Sequence, residues 1–304
     1  MIQGDRVRIF EVGPRDGLQN EKSVVTLADR FFLIEGLARA GLSDIEVGSF
    51  VREDRVPQMA GTDQILNAIT SGQVSIGRAT PWVLVPNRKG LQNAVASGAK
   101  NIAVFTASTE GFNQKNIGMS IEKSLTEIQA VVRDARTQGL RVRGYVSTAF
   151  GCPFDGKVAP AKPLEVISKL IALGVEEVSV GDTIGVATPR GVEDVIRPAL
   201  AAHGSAKIAV HFHDTRGTAL ANTLRALDLG VRIVDSSAGG LGGCPFAPGA
   251  TGNLATEDLV YMLDGMGVQT GVDLSKLAET SLEFFRRIQR PLASRYLQAC
   301  SAKY

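Results

Sequence analysis

Ala40-Gly41-Leu42-Ser43-Asp44-Ile45-Glu46-Val47 reads as the end of an amphipathic helix, a glycine, and then a short strand carrying β-branched residues. The same phrase returns at Gly98 before Asn101-Ile-Ala-Val-Phe105 and at Gly139 before Arg141-Val-Arg-Gly-Tyr-Val146. It returns again at Gly174 before Glu177-Val-Ser-Val180, and at Gly230 before Ile233-Val-Asp235. Glycine is favoured just past a helix end because it accepts the left-handed backbone conformation there. Helix starts are marked as well. Thr26 and Asp29 form an N-cap pair ahead of Leu27, Phe31, Ile34 and Leu37, and Pro163 stands where a first helical turn should begin. With the remaining candidates, eight strands are expected, near 7–12, 44–49, 80–85, 101–106, 142–148, 176–181, 207–213 and 232–237. Strands alternating with helices give a parallel sheet, and eight such units give a closed (β/α)8 TIM barrel. An open doubly wound sheet would want a glycine-rich phosphate turn after its first strand. Here that turn is Gly13-Pro14-Arg15-Asp16-Gly17, which carries charge instead. The expectation is one barrel domain over 1–304, with a small C-terminal helical extension from about 275 whose stripe is Leu277, Leu282, Phe285 and Ile288.

The composition is that of a soluble globular protein and excludes several classes. At 304 residues, with 44% hydrophobic and 21% charged residues, the chain can bury a large core without disulfides. A net charge of +2 and the absence of a basic run give no footing for nucleic acid. No apolar stretch reaches the ~18 residues of a membrane span. The opening residues lack a basic segment followed by an apolar one, so no secretory leader is expected. Cys152, Cys244 and Cys300 are odd in number and far apart, which fits free thiols and a reducing cytoplasm.

A barrel places its chemistry on the loops after the C-terminal ends of the strands. The seventh strand ends in Val210-His211-Phe212-His213, and the chain has only three histidines. Strand alternation sends His211 and His213 to one side and Val210 and Phe212 to the other, so both imidazoles are expected in the mouth as metal ligands. Arg15-Asp16 ends the first strand, a candidate metal carboxylate beside a fixed cation; in isolation the pair would read as a solvated turn. Glu46 ends the second strand. Asp182 ends the sixth and reads equally as a helix cap. After the eighth strand, Gly239, Gly240, Gly242, Gly243 and Gly249 surround Cys244. That pattern suits a flexible lid that delivers a thiol as acid or base, although such loops also bind phosphate.

Phe10-Glu-Val-Gly-Pro-Arg-Asp-Gly-Leu-Gln-Asn-Glu-Lys22, His211-x-His213-Asp-Thr and Asp235-Ser-Ser-Ala-Gly-Gly-Leu-Gly-Gly-Cys-Pro245 together closely resemble the 3-hydroxy-3-methylglutaryl-CoA lyase family. The resemblance extends through Val56-Pro-Gln-Met59, Arg143-Gly-Tyr145, Gly181-Asp-Thr-Ile-Gly185 and Gly252-Asn-Leu-Ala-Thr-Glu-Asp, from about Val7 to Asp273. It implies that Asp16, His211, His213 and Asn253 are metal ligands for Mg²⁺ or Mn²⁺. It further implies that Arg15 contacts the substrate carbonyl, that Cys244 is the loop cysteine needed for activity, and that Glu46, Ser49, Tyr145 and Asp182 line the site. An acyl-CoA substrate and a homodimer are implied too. Val47-Gly48 stands where the family often has polar residues, and is expected to widen or de-polarise the mouth.

The activity so implied is cleavage of 3-hydroxy-3-methylglutaryl-CoA to acetyl-CoA and acetoacetate, with Arg15 stabilising the enolate oxygen and Asp16, His211 or a water as base. Three other readings stand beside it: a lyase of the family taking a longer branched acyl chain, a synthase condensing acetyl-CoA with a 2-oxo acid, and a metal-binding barrel without catalysis. The last would have no use for Arg15 or Cys244. A zinc hydrolase would want an H-E-x-x-H helix that the chain lacks.

Overall fold

Glycine ends helices here as the sequence suggests: Gly41, Gly98, Gly139, Gly174 and Gly230 all have positive φ, reaching +115° at Gly230. The computed structural model describes residues 5–22, 24–243 and 252–301. Between those glycines run β1 (Arg8–Glu11), β2 (Asp44–Ser49), β3 (Thr80–Leu84), β4 (Asn101–Ala107), β5 (Arg141–Ser147), β6 (Glu177–Asp182), β7 (Ile208–Phe212) and β8 (Ile233–Ser236). Each bound falls within one residue of its expected place. The strands pair in chain order, all parallel, and β1 closes on β8 with Arg8 opposite Ile233 and Glu11 opposite Ser236. No helix among the described residues is long and apolar enough to cross a membrane.

The helix starts follow local chemistry. Thr26 Oγ1 accepts the Asp29 amide at 3.2 Å, while the Asp29 carboxylate accepts the Thr26 hydroxyl at 2.6 Å. The helix Leu27–Arg39 therefore starts on a reciprocal side-chain pair. Pro163 is displaced from its expected place: the helix Ala161–Ala172 begins two residues earlier, and the proline sits in its first turn, where no amide donor is missed.

Alternation along the strands divides two environments. Ile9, Ile45, Val47, Val104, Val142, Val146, Val180, Val210 and Phe212 join the aliphatic core under the helices. The barrel interior is different. It holds a Phe10–Trp82 pair and Leu84, Ala103 and Tyr145, interleaved with buried Asp44, Glu46, Arg143, Glu177, Ser179 and Asp235. An interior of charge rather than branched aliphatic layers is the first sign that this barrel is built around polar chemistry.

β2 contains an irregularity between Glu46 and Gly48 in its pairing with β3. Arg30, buried in the first long helix, donates to the Val47 carbonyl at this point. Val47 joins the helix-side core, and a Cβ on Gly48 would meet Thr62 Oγ1 at 2.4 Å, so both residues face the helix layer. This corrects the expectation that they widen the mouth: Val47 points away from Glu46 as alternation requires, and the bulge carries Gly48 to the same helix side.

The C-terminal extension is present as Leu274–Arg287 and Arg295–Ser301. Its buried stripe runs through Leu277, Ser281, Phe284 and Phe285 rather than Leu282 and Ile288, which are only half-buried. The first of these helices lies so close to Leu27–Arg39 that a Cβ on Gly36 would stand 2.2 Å from Thr280 Cγ2. Gly36→Ala is therefore expected to destabilise the protein by about 1–3 kcal/mol, the usual cost of overpacking. A lower urea midpoint, largely restored by Thr280→Ala in the same chain, is the expected result; an unchanged midpoint would show that the helices part freely there.

Candidate active site

The chain leaves β1 in a π-helical turn, Gly13–Gly17, whose Arg15 and Gly17 amides both bond to the Val12 carbonyl at 3.1 Å. This turn presents Arg15 and Asp16 side by side over the barrel. Arg15 Nε donates to Glu46 Oε2 at 2.6 Å and Nη1 donates to Asp16 Oδ1 at 2.6 Å. The Tyr145 hydroxyl donates to the same Glu46 oxygen at 3.0 Å, and the guanidinium lies 5.2 Å from the Tyr145 ring centre. Arg15, Glu46 and Tyr145 are all buried. Burial pushes the Glu46 carboxyl above its usual range against the pull of Arg15. For Asp16 burial also pushes upward, but Arg15, His211 and His213 prevail and hold its carboxyl at about 2. Asp16 is thus an anion throughout the neutral range.

At the end of β7, His211 and His213 face the same way, as alternation demands, while Phe212 turns outward to a ring contact with Phe150 at 5.9 Å. Ligand atoms of Asp16, His211 and His213 all lie within 4.8 Å of one another. The two Nε2 atoms are 3.2 Å apart. Asn253 closes the group, its Nδ2 donating to Asp16 Oδ2 at 3.0 Å and to the Leu241 carbonyl at 3.1 Å. Its buried Oδ1 has no hydrogen-bond partner, nor has the buried Nδ1 of His213. Burial, with His211 alongside, lowers His213 to about 4, so its imidazole is neutral at physiological pH, the form that binds metal. A carboxylate, two imidazoles and an amide with an orphaned oxygen form a mixed N/O set that fits a divalent cation with open positions.

This constellation has known counterparts. A family model described as HMGL-like matches residues 6–282. The chain belongs to the HMGL-like family. It is 52% identical over 294 residues to the mitochondrial hydroxymethylglutaryl-CoA lyase of Rattus norvegicus, covering 97% of this chain and 89% of the relative. A crystal structure of hydroxymethylglutaryl-CoA lyase from Pseudomonas aeruginosa superposes with a TM-score of 0.95 at 44% identity over the whole of both chains. An HMG-CoA lyase of Acinetobacter baumannii, in complex with coenzyme A and 3-methylmalate, gives 0.91 at 33% identity over 97% of this chain and 95% of that one.

The remaining expected residues of this HMGL-like chain fall in different places. Ser49 is buried at the end of β2, its hydroxyl donating to the Leu84 carbonyl at 3.3 Å. Asp182 neither caps the following helix, whose cap is Thr188, nor presents a bare carboxylate. Its two oxygens accept the Val186 and Ala187 amides at 2.9 and 2.8 Å and so shape the loop after β6. Cys244 lies outside the described residues. The glycines leading to it serve close approach: a Cβ on Gly242 would stand 2.7 Å from Asn253 Nδ2, and one on Gly239 would strike the Phe285 ring at 2.3 Å.

Sequence reasoning missed a second layer of buried charge. Asp235 accepts from Arg143 and Ser179 and stands 3.3 Å from His211 Nδ1, and Arg143 also donates to Glu177. Glu11 joins two mouth loops by accepting the Gly13 amide at 2.7 Å, the Ala238 amide at 2.9 Å and the Thr256 hydroxyl at 2.6 Å. Glu257 accepts the Gly239 amide at 2.7 Å. The available signal was a charged residue at an inward position of a strand, as with Arg143 and Asp235.

Burial raises Glu11 to about 7 and Glu257 to about 8. Between an unfolded value near 4.5 and these folded values the native state holds the extra protons, so stability contributed by the two groups is full at low pH and is lost as pH rises through 7 to 8. Glu257→Gln, a neutral isostere, is expected to reduce the fall in melting temperature between mildly acidic and mildly alkaline buffer. Equal falls in both proteins would refute the buried neutral carboxyl.

Proposed function

We propose that this chain cleaves 3-hydroxy-3-methylglutaryl-CoA to acetyl-CoA and acetoacetate. The observation that carries the reading is the convergence of Asp16, His211 and His213 beside a buried Arg15, in a family whose relatives bear that lyase's name. Asp16, His211, His213 and Asn253 would hold Mg²⁺ or Mn²⁺. When bound, such a cation supplies Lewis acidity, lowering the pKa of the substrate's tertiary hydroxyl.

The side chains divide the rest of the work. Of the candidate bases, Asp16 or a water would take the hydroxyl proton, since His211 would spend its Nε2 lone pair on the cation. The oxygen's electron pair then forms the ketone of acetoacetate, and the bond from C2 to C3 breaks with its electrons passing to the thioester enolate. Arg15, held by Glu46 at 2.6 Å and unable to lose its charge, would stabilise that enolate oxygen. Tyr145, bonded to the same Glu46 oxygen, would keep this cation in place. Cys244, next after Gly243 in the sequence, would return a proton to the enolate carbon. Ser49 and Asp182 would shape the acyl and loop walls. The substrate is an acyl-CoA, and a homodimer in the cytoplasm is the expected form.

Acetyl-CoA and acetoacetate should appear together on adding the substrate with Mg²⁺ or Mn²⁺, and should stop with EDTA. Asp16→Ala should abolish this release while leaving the fold intact. Arg15→Gln should lower kcat by about 10²–10³-fold, the usual loss of a charge-stabilising donor. A folded, metal-loaded protein that releases neither product would sink the substrate assignment.

A further inference from the structure

Four buried residues under the cation cluster have no part in the chemistry above: Ser179, Arg143, Glu177 and Asp235. Asp235 lies inward on β8 and is 1% exposed; Arg143 and Ser179 are fully buried. Arg143 grips Asp235 with both terminal nitrogens, Nη2 to Oδ1 and Nη1 to Oδ2 at 3.2 Å. Ser179 donates to the same Oδ2 at 2.7 Å. Arg143 is itself fixed, Nε donating to Glu177 at 2.6 Å and its guanidinium lying 3.8 Å from the Phe10 ring centre. The remaining neighbour of Asp235 Oδ2 is His211 Nδ1, at 3.3 Å.

We propose that Asp235 is a positioning residue that sets the tautomer of His211, placing the proton on Nδ1 and leaving the Nε2 lone pair facing Asp16 and His213. A carboxylate paired with arginine only accepts hydrogen bonds, so the imidazole atom facing it must donate. The opposite tautomer would set a nitrogen lone pair against the lone pairs of a buried carboxylate oxygen. With Nδ1 so engaged, His211 Nε2 lies 3.2 Å from His213 Nε2 and is free to bind a cation. Arg143 and Ser179 act one step further back, fixing the plane of the carboxylate. The cation part of this inference rests on the cation-dependent reading proposed above; the tautomer part does not.

The test uses ¹⁵N NMR of histidine side chains in the metal-free protein at alkaline pH. The chain has three histidines, and His203→Gln and His211→Gln assign them. His211 should show an Nδ1–H tautomer. In Asp235→Asn the amide can donate towards the ring, so the proton should move to Nε2 and Mn²⁺ affinity, followed by EPR, should fall about 10–100-fold. Melting of the metal-free variant separates this loss from unfolding. An Nε2–H tautomer in the unmodified protein overturns the proposal by itself, even where Asp235→Asn does not fold. A folded Asp235→Asn that keeps both tautomer and Mn²⁺ affinity overturns it too. An unmodified protein with the Nδ1–H tautomer but no Mn²⁺ binding would uphold the role of Asp235 and remove the cation reading instead.

Discussion

The Arg143 guanidinium sits in the middle of the barrel without access to water, and the rest of the interior is arranged around that fact. An unpaired buried cation would cost several kcal/mol, so other strands, one adjacent and one across the barrel, must bring carboxylates to it. Glu177 comes from β6 and Asp235 from β8, and the Phe10 face covers the guanidinium. The pairing continues in both directions. Glu177 also meets Arg8, which is partly exposed at the N-terminal end of the barrel, while Asp235 meets His211 at the mouth. Charge of alternating sign thus runs along the axis from one end of the barrel to the other. Each member has a partner, so the interior is rigid and offers few alternative arrangements.

That rigidity is what the mouth inherits. Asp16 and Arg15 come from a turn after β1, Glu46 from β2, Tyr145 from β5, the two histidines from β7, and Asn253 from beyond β8. Loops alone would not hold so dispersed a set in one arrangement. The supports are buried groups that accept backbone amides: Glu11 ties the Gly13 turn to the start of the loop after β8, and Glu257 takes the next amide of that loop. The glycines between contribute by having no side chain, which lets the loop backbone lie against Asn253 and Phe285. Fixed geometry of this kind is what electrostatic stabilisation of a developing charge needs, because nothing has to reorganise during the reaction.

Much of this was legible before any coordinates. The helix–glycine–strand phrase located five of the eight strands, β2, β4, β5, β6 and β8, because the left-handed turn after a helix depends on one residue and its neighbours. His211, His213 and Asp16 were found because polar residues at strand ends stand out from the apolar run before them. Other features depend on partners far away in the chain. Nothing near Asp182 says that its oxygens turn back on the amides of Val186 and Ala187. Val47 and Gly48 were misplaced because the resemblance compared residue types and not their directions, and the bulge that turns Gly48 outward shows in no periodicity. Arg143 and Asp235 lie 92 residues apart, and neither alone suggests an ion pair. In the last long helix Phe284 replaced Leu282 on the buried face, since the groove it fills was unknown.

Asp16 and Asn253 hydrogen-bond across 237 residues of sequence. A ribosome adding about 5–20 residues per second needs on the order of ten to fifty seconds to travel between them. For most of that time Asp16 has been made but has neither its histidines nor its asparagine, and β1 has no eighth strand to close on. The nascent chain therefore carries the Arg15–Asp16 turn beside an incomplete cluster, which is closed only when its last member, Asn253, has been made.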